Sequence, residues 1–404
     1  MGLEYAHKGY EYQDLLSALF IIEQLLVTNN AIFKIDKKES ENDKFDDITI
    51  ISDNGIFKRQ IKYSENKILQ KADFSTVSYD LALDTLFKSW KETVVPKTVD
   101  YRICLAWEYV EDTKELDFLE EVDCYNLYED KNVKFLKINI DKIWKSGELP
   151  IPTWRRLRSK ANNINREEFA AFLNNLIIEV NLPKASNDLS NPDALERLVI
   201  SKLKKFGVGK YPNHSKEVND ILLNLTHIIK SSRANGEELN LNTIVFRLGL
   251  KSDFGNIKQS IDIDKDINVV NESRYQDFYE FIITNQKTLL LGEPGSGKSW
   301  FTQNFIKFLE SHSVKVVQHY CYTGVDDIYE KDRITVNVFL ANLINDIINA
   351  FPNLAEYKST KFGVDVEELQ TLLNNIQEEV VIIIDGLDHI GRVYNFHKSI
   401  IKEV

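Results

Sequence analysis

Two sets of residues in this chain have the types and spacing that chemistry on phosphates requires. The first is Gly292-Glu293-Pro294-Gly295-Ser296-Gly297-Lys298-Ser299, a full GxxxxGK(S/T) match, followed by Trp300. Glycines at these positions let successive backbone N–H groups converge on a β-phosphate. Lys298 then reaches the β/γ oxygens, and the Ser299 hydroxyl ligates Mg2+. The partner run is Val380 to Ile384, which ends in Asp385-Gly386-Leu387-Asp388-His389. A carboxylate at the end of a buried strand beside such a loop holds Mg2+ through water, the role assigned to Asp385. Asp388 is placed to orient an attacking water or to contact a neighbouring subunit, and His389 reads as a polar turn residue. An ordinary strand-to-turn junction, where Asp-Gly is common, is the competing reading. Loop and carboxylates together predict ATP and Mg2+ as ligands.

The second set lies near the start of the chain: Asp46-Asp47-Ile48 and Gln60-Ile61-Lys62, on two runs that flank Asp53-Asn54-Gly55. Asn-Gly tolerates positive φ at both turn positions and is a strong hairpin signal. A two-residue turn at Asn54-Gly55 sets Asp47 opposite Lys62 and Thr49 opposite Gln60, all on one face, with Asp46 on the other. A carboxylate and neighbouring oxygens that hold Mg2+, beside a lysine that stabilises charge on a phosphate, form the equipment of a metal-dependent nuclease. Asp47 and Gln60 are thus candidate metal ligands here, as Ser299 and Asp385 are in the first set. The same residues also fit a cross-strand ion pair on a solvated hairpin.

Elements must position these groups. Tyr12, Leu15, Leu16, Leu19, Phe20, Ile22 and Leu26 recur at helical spacing, with a stop at Asn29-Asn30. Strands are predicted over 31–35, 47–52, 56–63 and 100–107, with a helix over 78–92. From 138 to 250 the pattern turns helical, with helices over 167–180, 192–206 and 216–232. The polar, acidic stretch 262–271 reads as a crossing to another domain. Beyond it, strands at 287–291, 314–320 and 380–384 alternate with helices at 298–310, 335–351 and 366–377, the signature of a parallel sheet with crossover helices. The expected division is therefore 1–135, an α/β domain; 136–262, a helical extension; and 263–404, a second α/β domain.

Composition narrows the class. Hydrophobic residues make up 43% and charged residues 28%, as in an ordinary globular chain, which excludes collagen-like, mucin-like or wholly disordered proteins. No apolar run approaches the roughly 18 residues of a membrane helix, and no leader pattern opens the chain. Three cysteines, Cys104, Cys124 and Cys321, are too few and scattered for a disulfide framework or zinc knuckle. A cytoplasmic protein is expected. The net charge of −12 argues against a nucleic-acid coat that works by bulk positive charge, though not against a local groove. The run Trp154-Arg155-Arg156-Leu157-Arg158-Ser159-Lys160 fits either a solvated helix face or a track along a DNA backbone. Lys202, Lys204 and Lys205 are open in the same way, whereas Trp90, Trp107 and Trp144 read as packing residues.

GEPGSGKS with the later run ending in DGLDH resembles the STAND class of P-loop NTPases over about 265–404. Val269 to Ile283 is similar to the helix those proteins set against the adenine. That family continues past its acidic strand with a sensor strand, a lid, a winged helix and a recognition domain. The resemblance therefore implies a trigger recognised outside this sequence, an under-covered sheet edge beside Leu289 to Leu291, and ATP that is bound but turned over poorly. Gly9-Tyr10-Glu11-Tyr12-Gln13, then Asp46-Asp47-Ile48, then Gln60-Ile61-Lys62 resembles the PD-(D/E)xK nucleases, closest to the double-stranded DNA endonuclease domain of CBASS effectors and antiviral STAND proteins. By that match Asp47 is the metal carboxylate, Gln60 fills the E/Q slot, and Lys62 is the catalytic lysine. Gln13 falls where relatives carry a helical glutamate, and Glu39 assists. The implied whole is a Mg2+-dependent double-stranded DNA endonuclease governed by an ATP-binding module in prokaryotic antiviral defence, assembled as a homo-oligomer, a tetramer by resemblance. The rival readings are a signalling ATPase whose first domain binds DNA or a partner without cutting it, and a nucleotide-dependent restriction enzyme.

Overall fold

The computed structural model describes residues 3–76, 81–92, 99–111, 113–186, 188–261, 270–324 and 327–393. The fold is α/β and resolves into two compact units. One comprises Met1–Lys204 with Lys216–Leu250; the other comprises Lys205–Ser215 with Lys251–Val404.

The first unit runs α1 (Leu3–Val27), β1 (Ala31–Ile35), β2 (Ile48–Ser52), β3 (Gly55–Lys62), α2 (Lys71–Ser75), α3 (Leu83–Glu92), β4 (Val99–Leu105), β5 (Leu119–Glu121) and β6 (Lys134–Ile138). It continues through α4 (Arg155–Lys160), α5 (Arg166–Asn175), β7 (Leu176–Val180) and α6 (Ala194–Phe206), and then α7 (Val218–Asn235), β8 (Glu238–Asn240) and α8 (Leu241–Leu248). The eight strands form one mixed sheet in the order β5-β6-β7-β4-β3-β2-β1-β8. Within it β3, β4 and β7 are parallel neighbours, and the remaining pairs are antiparallel. The expected helical extension 136–262 therefore does not stand apart, because β7 and β8 fall inside it and complete this sheet. Leu176 to Val180 was expected as the end of a helix. Its buried, β-branched run instead enters the sheet directly after α5, which Asn165 caps through the Glu168 amide. The expected first turn of α3, 78–80, and the expected crossing at 262–269 lie outside the described residues.

One face of the sheet carries a large apolar core. Tyr101, Ile103 and Leu105 of β4 pack there with Phe74, Leu86, Phe87, Phe169 and Phe172 from the helices. Gln60 and Lys62 are the β3 neighbours of Ile103 and Leu105 and so share that face. On the other face, Cys104 and Glu179 are fully buried, and Arg102 and Tyr128 converge on the Glu179 carboxylate.

In the second unit come α9 (Glu272–Asn285), α10 (Lys298–Ser311), β9 (Lys315–Tyr320), α11 (Glu330–Arg333), α12 (Val336–Ala350), α13 (Val366–Asn375), β10 (Val380–Asp385) and α14 (Leu387–Val393). β9 and β10 pair in parallel from Lys315↔Val380 to Tyr320↔Asp385, with α12 and α13 in the crossover. That matches the alternation read from the sequence. The strand expected at 287–291 is not in the sheet. Leu289 and Leu291 stand 70% and 77% exposed, and among the described residues no strand flanks them. An apolar run that finds no ladder partner has nothing to bury its faces or satisfy its amides.

Candidate functional site

The β2–β3 hairpin differs in register from the one its turn residues suggested. Ser52 pairs with Gly55, Thr49 with Lys58, and Ile48 with Arg59. The two loop residues are thus Asp53 and Asn54, and of the turn only Gly55 takes a positive φ, 130°. Asn54 does not enter the left-handed region, so the mirror-image turn centred on Asn54-Gly55 does not form. The pairing moves by two positions. Lys58 faces Thr49 in place of Gln60, and the same register carried one step past the end of β2 sets Asp47 beside Gln60 and not Lys62. Because the side-chain period of a strand is two, a shift of two leaves Asp47, Thr49, Gln60 and Lys62 on the same face.

Asp47 sits where β2 parts from β3. Its Oδ2 accepts the amide of Ile61, a donor that a continued ladder would have used. Burial pushes the Asp47 carboxyl up to about 7, although the Ile61 amide and the Lys62 charge pull the other way. Asp36 and Asp46 add to the upward push, and Asp46 is itself raised, mainly by burial. Gln60 is 3% exposed, and its Oε1 has no hydrogen-bond partner, as is also true of the Thr49 hydroxyl. A buried amide oxygen without a donor costs about 1–3 kcal/mol, so this position is set up to receive something. The donor set, a carboxylate and an amide oxygen, suits a hard divalent cation. Mg2+ commonly takes one or two carboxylates and fills its remaining positions with water and substrate phosphate oxygens. Among the described residues no group of three His, Cys, Asp or Glu side chains is close enough to hold a metal alone.

Two expected participants are placed differently. Glu39 does not join Asp47; it lies 3.0 Å from Lys58, whose ammonium is fully buried and also meets Asp43 at 2.7 Å. Lys58 stands four residues before Lys62 on one face of β3, about 13 Å along the strand, so the Glu39 carboxylate is engaged away from Lys62. Gln13 does approach, but its Nε2 is committed to Asp36 Oδ1 at 2.8 Å. Asp36 follows β1 in a left-handed conformation, φ 46°, and donates its amide to the Asp47 carbonyl at 3.2 Å. The sequence reading missed Asp36. Its signal was only that an aspartate ends the strand beside the one leading to Asp47.

The basic run 154–160 is largely occupied within its own unit. Trp154 is 1% exposed, Arg156 and Lys160 both reach Asp84 at 2.5 Å, and Arg158 donates to the Pro150 carbonyl. Lys202 is likewise buried between Glu23 and Glu129. Trp107 and Trp144 are core residues, and Trp90 packs against the same cluster, as expected.

In the second unit the glycine-rich loop runs into α10, with Gly295 and Gly297 at φ 78° and 83°. Side chains other than glycine resist these values, so the loop's shape depends on them. At Gly292 an added Cβ would stand 2.7 Å from the Ser296 hydroxyl. Lys298 folds back on the loop, donating to the carbonyls of Gly292 at 2.7 Å and Glu293 at 3.1 Å. Ser299 is exposed on the first turn of α10, and Trp300 is half-buried with its Nε1 unpartnered. Gly292, Pro294, Lys298, Asp385 and Asp388 line one cleft of about 880 Å3, whose floor includes Val381 and Ile383. Asp385 closes β10, and its Oδ2 is buried without a hydrogen-bond partner. An orphaned carboxylate oxygen and a lysine at the open amide end of a helix suit an anion accompanied by a cation.

Residues 268–402 match the family described as Nephrocystin 3, N-terminal. The match spans the glycine-rich loop and β10 and marks this stretch as an NTPase-like region related to STAND proteins. No curated protein matches the chain. No helix among the described residues is long and apolar enough to cross a membrane.

Proposed function

We propose that this chain is a Mg2+-dependent double-stranded DNA endonuclease whose activity is governed by an ATP-binding, STAND-type module, in the manner of prokaryotic antiviral effectors. The observation that supports the nuclease reading most is that the Asp47 carboxylate binds the Ile61 amide, between Gln60, whose Oε1 is buried and unpartnered, and Lys62. In this reading Asp47 and Gln60 would hold Mg2+, and the ion would supply Lewis-acid polarisation of a phosphate there. Lys62 sets its positive charge against the developing negative charge. Asp47 is held to β3 by the Ile61 amide, so its carboxylate has a fixed direction. In the second unit the loop amides and Lys298 take the β- and γ-phosphates, and Ser299 and Asp385 serve the accompanying Mg2+. A homo-oligomer, and a trigger recognised by a region outside this sequence, belong to the same proposal.

The experiment is plasmid cleavage in MgCl2 and ATP by the full chain. Asp47→Ala and Lys62→Ala remove cleavage, whereas Asp46→Ala, which changes the carboxylate outside the Gln60 pair, retains much of it. Cleavage by both Asp47→Ala and Lys62→Ala at the wild-type rate moves the site elsewhere and favours a first unit that only binds.

A further inference from the structure

The Asp47 site has a neighbour that neither its motif nor its hairpin announces. Arg233, on the last turn of α7, comes back over α1 and forms ion pairs with two carboxylates at once. It meets Asp14 at 2.7 Å, and its Nε reaches Asp36. The Tyr10 ring lies 5.4 Å from the guanidinium carbon, and Lys230, one turn earlier on α7, is 4.0 Å from Asp14. Asp14 is 1% exposed and Asp36 is half-buried. Asp36 is thereby held at three points: Gln13 on one oxygen, Arg233 on the other, and its own amide on the Asp47 carbonyl. It is also one of the charges that press on the Asp47 carboxyl. Arg233 therefore touches no proposed ligand, yet it fixes the place and screens the charge of the carboxylate next to one.

We propose that Arg233 is a positioning residue of the Asp47 site, which acts through Asp36 to set how tightly that site takes Mg2+. This rests on the reading of Asp47 and Gln60 as metal-binding residues. A guanidinium that stays in place lowers the negative field at the site, so Mg2+ binds less tightly than the neighbouring carboxylates alone would dictate. Removing its charge leaves Asp36 uncompensated in a partly buried setting, where screening by salt is weak. Removing the Asp36 charge does the opposite. A purely structural Arg233, which only ties α7 to α1, would change stability and leave the affinity for Mg2+ where it was.

The test is a MgCl2 titration of the full chain without nucleotide, followed by thermal shift, with Asp47→Ala as the reference for signal that does not come from this site. Arg233→Gln lowers the half-saturating Mg2+ concentration by about five- to tenfold, and Asp36→Asn raises it. The double variant Arg233→Gln/Asp36→Asn stays at the Asp36→Asn value, because the arginine acts through Asp36. Arg233→Lys, which keeps the cation, stays near wild type and serves if Arg233→Gln folds poorly. If Arg233→Gln melts lower but binds Mg2+ with unchanged half-saturation, or if its effect persists in full on the Asp36→Asn background, the inference is overturned alone. A wild-type titration with no component that depends on Asp47 overturns the metal reading and this inference with it.

Discussion

A carboxylate raised to about 7, as Asp47 is, works against the fold at neutral pH. Between its unfolded value near 4 and its folded value, the native state keeps a proton that the unfolded chain has released. Stability therefore falls as pH rises through that window and levels off above it. Asp47→Asn removes the burden, so the metal-free variant should be more stable than wild type at pH 8, by about 2–4 kcal/mol, and close to wild type only at or below pH 4. Melting curves at the two pH values decide it, and MgCl2 should narrow the gap by stabilising wild type alone. The identity of this residue was legible in the sequence because Asp-Asp-Ile and Gln-Ile-Lys flank a turn. Asp36 and Arg233 were not legible. One sits in a left-handed bend and the other on a helix that follows from far along the chain, and no local pattern links them. Lys58 shows the converse: a strand lysine as good as Lys62 by type alone is sealed with Asp43 and Glu39. Truncating it to Ala leaves those carboxylates without their cation and should cost about 3–5 kcal/mol, measured by denaturant unfolding.

At the scale of elements, the period-two and period-3.6 patterns located most strands and helices, because each buries a face whose spacing is written locally. Register and sheet membership were harder. The hairpin slid by two because Asn54 declined the left-handed conformation, a choice among turn types that residue preference alone does not fix. β7 was hidden because a short apolar run after a helix carries the same signal as more helix. The run at 288–291 shows the reverse case, a strand-like sequence with no strand to pair with among the described residues. The joint between β9 and the helices after it offers a pH test. His319 is fully buried; its Nε2 lies on the Arg333 carbonyl, which can only accept, so that nitrogen carries the proton and Nδ1 accepts from Asn342. Burial holds the imidazole down at about 4. The unfolded chain takes up its proton near 6.5, so this contribution is complete above that value and is lost as pH falls from 6.5 toward 4, about 2–3 kcal/mol in all. Urea unfolding of the second unit's signal should steepen in that window, and His319→Gln should flatten it.

Across the whole molecule, −12 of net charge does not favour a generic hold on DNA, and the obvious basic run is spent on Asp84 and Pro150. On the proposed nuclease reading, DNA engagement would fall to the local field around Lys62. Connectivity adds a second point. The chain leaves the first unit after Lys204, returns at Lys216, and leaves again after Leu250. The returning piece holds α7 and Arg233. Just outside it, Asn213 bonds both the carbonyl and the amide of Lys251, tying the two ends together within the second unit. In that second unit Lys298→Ala removes the ammonium proposed to meet the β- and γ-phosphates, so ATP binding by calorimetry should vanish while the melting temperature holds.

The central claim, cleavage at Asp47 under the control of the nucleotide module, is tested most directly by one time course. Supercoiled plasmid is incubated with MgCl2 and ATP and with wild-type, Asp47→Ala or Lys298→Ala full-length chain. Wild type should convert the plasmid to linear DNA. Asp47→Ala leaves it intact while still binding ATP, and Lys298→Ala cuts at least about tenfold more slowly. Linear product from Asp47→Ala at the wild-type rate would contradict it.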